Sequence, residues 1–533
     1  MRPIIPTTDE DDAGSIGPDP AFVAPVMLLA RARTTPDAPF LTEVGGPTLS
    51  YAETLERVLR WGSTLAARGV VAGDRVASFV PASIDSVCVW FAASLLGAIE
   101  VPVNPELRGE FLTHVLTDSG ARTCIVRPEQ AALLEEAGVP NLDLLIAERD
   151  GSRLEAVPLK DPIFPAPTDV ACVMYTSGTT GPSKGVVVTW AQTASIIGRL
   201  PRSWFSSADV TYAPWPMFHI TGRSPVIVML DAGGQVVLRE RFSLSDFWPD
   251  VCRHGVTYTT VAAVLRLLLD GDGPARGDHP LRIAFGGSDA RANLGFVERF
   301  GVRIVTSYGS TEVGFPIVNL WYDESNAHLT GWPRRGYRLR AVDENGQDVG
   351  EGQIGQLIVK PPRRELMMRE YLGRPELTAH AIVDGWYHTG DAVRLLEDGA
   401  VVFVDRMGDT IRRFGENIST VAVESVVAAH PDVAECAVVG VRSPVSGQDV
   451  MLVIVPARVG VDPATLFDDL RDLLPKHALP AYVALLPSLP KTPNGKTRKS
   501  ELVELSGRAW ASPVARTPVV STQDRAGDRS TDD

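Results

Sequence analysis

Runs rich in β-branched residues alternate along most of this chain with segments of helical periodicity, and no other feature restricts the fold so strongly. Residues 50–53 (Ser-Tyr-Ala-Glu) carry a capping-box signature, after which Leu55, Val58, Leu59 and Leu65 mark one helical face. Residues 76–80 read as a strand and 87–96 as a buried helix, and comparable alternation recurs through 226–238, 256–269 and 283–285. Strands interleaved with helices must stack in mixed layers, so the expected class is α/β rather than a β-sandwich or a helix bundle. The last hundred residues read as a separate small unit. Strands are expected at 401–404, 436–441 and 451–455, a helix near 421–430, and a further helix opened by Asp462 as N-cap with Pro463 in its first turn. The polar stretch 405–409 is the expected boundary, and the polar ends, 1–19 and 511–533, are expected to be disordered tails.

Composition narrows the function classes. With 65 acidic against 51 basic residues the net charge is −14, which argues against a coat for nucleic acid. The five cysteines, at 88, 124, 172, 252 and 436, have no zinc-ligand spacing, and a sparse, odd set suits a reducing compartment. The longest largely apolar run, 87–99, is too short for a span of ~20 residues, and the acidic N-terminus is no export signal, so a cytoplasmic location is expected. Only seven residues are Lys among the 51 basic ones, so a Lys in a chemically plausible place stands out.

The most informative stretch is Met174-Tyr-Thr-Ser-Gly-Thr-Thr-Gly-Pro-Ser-Lys-Gly185, placed after an apolar run as a loop follows a strand. Glycines let backbone N–H groups converge, hydroxyls donate, and a Lys offsets charge, a combination suited to phosphate oxygens. The loop is not a Walker A motif, because Lys184 follows Ser183 and precedes Gly185.

This loop resembles the signature of the adenylate-forming superfamily, which includes acyl-CoA synthetases, peptide-synthetase adenylation domains and beetle luciferases. Five further segments, in the family's order, carry the same resemblance: Pro216-Met-Phe-His219, Ser307-Tyr-Gly-Ser-Thr-Glu312, Tyr387-His-Thr-Gly-Asp391, Asp405-Arg406 through Gly415-Glu-Asn417, and Pro493-Asn-Gly-Lys496. The resemblance implies a large, multi-subdomain AMP-binding domain over 20–404, a hinge at 405–409 and a small mobile α+β lid over 410–508. It implies attack of a carboxylate on the α-phosphate of ATP, giving acyl-AMP, and then displacement of AMP by a thiol.

On the same resemblance, Thr176, Ser177, Gly178, Thr179, Thr180, Gly181 and Lys184 would hold phosphates, and Glu312 would bind Mg²⁺. Tyr308 would lie against the adenine, with Gly286, Gly287 and Ser288 on its other side; Ser307, Gly309 and Thr311 belong to the same nucleotide-binding set. Asp391 would take the ribose hydroxyls and Arg406 the ribose or phosphate region. Lys496 would bridge carboxylate and α-phosphate, with Glu312 and His219 as the other candidate catalytic residues. Rotation of the lid would then withdraw Lys496 and bring the loop at Gly415 toward the thiol.

Arg412-Arg-Phe-Gly-Glu-Asn417 and His430-Pro-Asp-Val433 resemble the carnitine/crotonobetaine-CoA ligase-like group, which makes CoA the expected acceptor and a carrier protein in trans the alternative. Catalysis of only one half-reaction is a second alternative. The acyl pocket implied by the family contains several small residues, Gly222, Ala262, Gly286 and Gly314, which suggests room for a medium or bulky apolar acid, with Arg223 expected at its rim.

Overall fold

The computed structural model describes residues 22–515 except 150, 177–181, 198–199, 263, 288, 344, 407–409, 415, 491–496 and 498. The chain divides into two compact units: residues 1–105, 113–176 and 184–407 form the larger, and 106–112, 177–183 and 408–533 the smaller.

Among the described residues, the larger unit contains three sheets. In the first, strands Asp143–Ile146, Thr123–Val126, Arg75–Phe79, Ile99–Pro102, Val170–Thr176 and Lys184–Thr189 lie side by side in that order, all parallel except the last pair. The crossover helix Ile84–Leu95 is buried along its whole length, which explains why most of its sequence is apolar. It starts with a capping box in which the Ser83 and Ser86 side chains satisfy each other's backbone N–H groups. The expected box at Ser50 and Glu53 is formed too, at the head of helix Tyr51–Ala67.

A nine-stranded sheet is parallel through its middle, where Tyr258–Thr260, Ile283–Phe285 and Arg303–Ser310 run together. A smaller antiparallel sheet is built from Arg338–Val342, Ile354–Lys360, Trp386–Leu395 and Ile382–Val383, with Val401–Arg406 pairing to Trp386–Leu395. Parallel sheets need both faces covered, and the buried helices supply that cover.

In the smaller unit, helix Thr420–Ala428 packs near the long hairpin Val433–Ser443 and Gly447–Pro456, around a core containing Ile411, Val438, Leu452 and Phe467. Asp462 caps helix Pro463–Leu470 through the Thr465 N–H. The order of the chain persists further than its composition suggested. Trp510–Ala511 pairs with Tyr482–Leu485, and the buried Ser512 hydroxyl donates to the Pro480 carbonyl at 2.7 Å. Residues 511–512, expected to lie in the tail, are therefore ordered, because the edge of a sheet recruits this polar segment through its backbone. No described helix is long and apolar enough to cross a membrane.

Candidate active site

Strand Val170–Thr176 returns antiparallel as Lys184–Thr189, with Thr176 directly opposite Lys184. The two ends of the phosphate-loop motif are thus fixed as a cross-strand pair. Ser177, Gly178, Thr179, Thr180 and Gly181 lie outside the described residues. A Cβ on Gly185 would fall 2.8 Å from Val173, so the close approach of the two strands requires glycine there. Among the described residues, buried Thr176 Oγ1 finds no hydrogen-bond partner, and neither does Ser310 Oγ. Buried hydroxyls left unsatisfied by the protein are donors that a ligand can use.

Glu312 sits in the turn between Arg303–Ser310 and Gly314–Asn319. The register shifts between Tyr308 and Ser310, and Ser310 faces Gly314. This turn explains the glycine in the Tyr-Gly-Ser-Thr-Glu segment: a Cβ on Gly309 would lie 2.0 Å from the Gly314 carbonyl, and Gly314 itself has φ +67°. The Gln192 amide clamps the turn from outside, donating to the Thr311 carbonyl at 2.7 Å and to that of Glu312 at 3.3 Å. The Glu312 side chain is buried, and its Oε1 accepts a hydrogen bond from the Tyr371 hydroxyl at 2.9 Å. Lys184 Nζ lies 3.9 Å from the centre of the same tyrosine ring. Burial, reinforced by the charge of Glu312, holds the neighbouring Tyr387 hydroxyl well above the usual tyrosine range and keeps it a donor.

Asp391 lies on Trp386–Leu395, with its backbone opposite that of Arg406. Its Oδ2 accepts from the Tyr308 hydroxyl at 2.5 Å, and its N–H is bonded to Thr389 Oγ1. Gly286 and Gly287 leave strand Ile283–Phe285, the parallel neighbour of the Tyr308 strand, so both segments emerge at the carboxyl edge of one sheet. Ligands of open α/β sheets collect at such edges. The Asn293 side chain holds Gly287 at both ends, donating to its carbonyl at 2.8 Å and accepting from its N–H at 3.2 Å. Asp289 then caps helix Ala290–Phe300 through the Ala292 N–H.

His219 is the residue at the N-cap of helix Ile220–Ala232, its ring 4.5 Å from that of Phe218. Arg223, one turn into this helix, departs from its expected place at a pocket rim. It and Glu100 are each 1% exposed and paired at 2.6 Å; its Nε donates to the Met217 carbonyl, and its guanidinium lies 4.2 Å from the Trp90 ring. Ser78 donates to the other Glu100 oxygen, and burial pushes the nearby Cys172 thiol up to about 12. A carboxylate in the middle of a parallel sheet demands a cation, and Arg223 is drawn inward to supply it.

The small residues read as pocket room also have another cause. A Cβ on Gly222 would lie 2.2 Å from the Pro216 carbonyl, and one on Gly286 the same distance from Asn293 Oδ1. Gly222 is needed for a close backbone approach, and Gly286 for the side chains of Asn293 and Ile304 packed against it.

Structure thus links Lys184, Glu312, Tyr308 and Asp391 through tyrosines, and puts Gly287 on the adjacent strand end. Lys496, Ser288 and Gly415 lie outside the described residues, and of Arg406 only the backbone is described. Tyr371 and Gln192 are contributors that the motifs do not contain, since each reaches the Thr311–Glu312 turn from a distant segment, and Asn293, six residues beyond Gly287, lies just outside them. Among the described residues no group of three or more His, Cys, Asp and Glu converges on a metal cage. One hard carboxylate, Glu312, near the end of the phosphate-loop motif fits Mg²⁺ of the kind that brings most of its ligands as phosphate oxygens and water.

The profile of the family described as AMP-binding enzyme matches residues 28–372, and that of the AMP-binding enzyme C-terminal domain matches 422–496. The chain is 32% identical over 496 residues to a feruloyl-CoA synthase of an Amycolatopsis species, covering 89% of this chain and 96% of that one. It is 29% identical to a crotonobetaine/carnitine–CoA ligase of Salmonella choleraesuis, covering 85% and 92%. The fold is similar to that of o-succinylbenzoate CoA synthetase of Bacillus subtilis bound with a product analogue, with a TM-score of 0.81, 26% identity, and coverage of 90% and 98%.

Proposed function

The chain belongs to the AMP-binding enzyme family and is an ATP-dependent acyl-CoA ligase, and from that premise we propose how its residues divide the work. A carboxylate cannot expel oxide near neutral pH, so the acid first attacks the α-phosphorus of ATP. The P–O bond to pyrophosphate breaks as the acyl–phosphate bond forms. Two anions meet in this step, and the site must offset their charge and align them.

Lys184 and the donors of the phosphate-loop motif would hold the phosphates. Asp391, oriented by Tyr308, would accept from the ribose hydroxyls, and Gly287 with Tyr308 would flank the adenine. Glu312 would hold Mg²⁺, which when bound supplies charge neutralisation at the phosphates. Lys496, from the smaller unit, would stabilise negative charge developing between carboxylate and α-phosphate. In the second step the CoA thiolate attacks the acyl carbonyl and AMP leaves with the bonding electron pair.

The observation that carries this reading is the joining of three distant segments, Lys184, Tyr308 to Glu312, and Asp391, by hydrogen bonds and ring contacts in one place. Mass spectrometry of reactions containing ATP, Mg²⁺, CoA and a panel of aromatic, aliphatic and quaternary-ammonium acids tests it. Acid-dependent AMP and acyl-CoA are expected. Release of ADP in place of AMP would contradict the reading, and AMP without acyl-CoA for every acid would favour a carrier-bound thiol in trans.

A further inference from the structure

Tyr371 belongs to none of the motifs that define the site, yet it touches two of the charged groups assigned to it. Its hydroxyl donates to Glu312 Oε1 at 2.9 Å, and its ring lies 3.9 Å from Lys184 Nζ. The residue is buried, and its position is fixed from several sides. The Tyr371 N–H donates to Thr378 Oγ1 at 3.0 Å. The flanking backbone is laced to the strand that follows the phosphate-loop motif: Arg369 N–H to the Val187 carbonyl, Val187 N–H to that of Glu370, and Leu372 N–H to that of Gly185. On its other side the Met368 N–H donates to the Glu312 carbonyl at 2.6 Å. One short segment is therefore stitched both to the strand carrying Lys184 and to the turn carrying Glu312.

The chemistry of a phenol suits this double contact. Its O–H occupies one carboxylate oxygen and orients the group, leaving the second oxygen for a hard cation. Its π-face attracts an ammonium without removing its charge. We propose that Tyr371 is a positioning residue that sets Glu312 and Lys184 in one frame for magnesium-bound ATP, the hydroxyl serving the carboxylate and the ring serving the ammonium. The proposal rests on the nucleotide site assigned above.

Calorimetric titration of ATP into the full-length protein, with Mg²⁺ and separately with EDTA, tests it. Tyr371→Phe keeps the ring and removes the hydroxyl. It is expected to weaken Mg²⁺-ATP binding about tenfold to a hundredfold, the loss of one hydrogen bond to a charged group, and to leave metal-free ATP binding within about twofold. Tyr371→Leu removes the ring too and should weaken both titrations. Because the leucine variant risks misfolding, a cycle with Glu312→Gln gives a second reading from conservative changes alone: Tyr371→Phe added to Glu312→Gln should cost nothing more. Unchanged Mg²⁺-ATP binding by Tyr371→Phe, equal weakening with and without metal, or additive losses in the cycle would each overturn the proposal. Wild-type protein that binds ATP in neither titration would instead remove the nucleotide site on which the proposal stands.

Discussion

The Tyr308 hydroxyl donates to Asp391 Oδ2 at 2.5 Å, tying a strand of the nine-stranded sheet to one of the small antiparallel sheet. The ring proposed to face the adenine and the carboxylate proposed to hold the ribose thus orient each other. Tyr308→Phe keeps the ring and frees the carboxylate to rotate. Steady-state kinetics should show the KM for ATP rising about fivefold, near 1 kcal/mol, with the KM for the acid unchanged. A rise in the acid KM alone would place Tyr308 elsewhere in the reaction.

Glu100 and Arg223 form a fully buried pair at 2.6 Å, with Ser78, the Met217 carbonyl and the Trp90 face completing the surroundings. Removing one partner strands a charge in the core. Arg223→Met should lower stability by about 3–5 kcal/mol in urea unfolding. The double variant Glu100→Leu with Arg223→Met should lose clearly less than the sum of the single losses, because the remaining site is apolar. Additive losses would show that the two groups do not interact.

Asp289 caps the helix that follows Gly287 and pairs with Arg266. Burial alone would raise its carboxyl, but the Ala292 N–H and the Arg266 guanidinium outweigh it and hold the group below the usual carboxylate range. A depressed folded value means that the stabilisation is fully present above the unfolded value of about 3.9 and is lost as pH falls through the folded one. Asp289→Ala should cost about 1 kcal/mol at neutral pH. Urea unfolding from pH 7 down to pH 3 should show the gap to wild type narrowing only below about pH 4. A gap that stays constant across this range would mean that the carboxylate charge contributes nothing.

What the sequence carried of the candidate site is its local part, the glycine, hydroxyl and carboxylate spacings within one turn. Gly309 shows why: the hairpin closes so tightly that only glycine fits, and the motif records that constraint. Tyr371 shows the opposite. It reaches Glu312 across 59 residues of chain, and nothing in its immediate surroundings signals the contact. Arg223 was misplaced for a related reason. Its partner, Glu100, lies on a strand 123 residues away, and a guanidinium in an apolar helix reads as exposed until that buried carboxylate is known. Fold class followed from the alternation of strands and helices, whereas the late packing of Trp510 to Ser512 depends on a free sheet edge that composition does not reveal.

The central claim is that one chain runs adenylation and thioester formation with separable groups, Lys496 serving only the first. The most direct measurement compares Lys496→Ala with wild type in two assays: acid-dependent pyrophosphate exchange into ATP, and acyl-CoA formation from supplied acyl-AMP. The account predicts that exchange falls by about 10²–10³-fold, as for loss of one charge-stabilising donor, while thioester formation stays within a few-fold of wild type. Equal loss in both assays, or undiminished exchange, would contradict it.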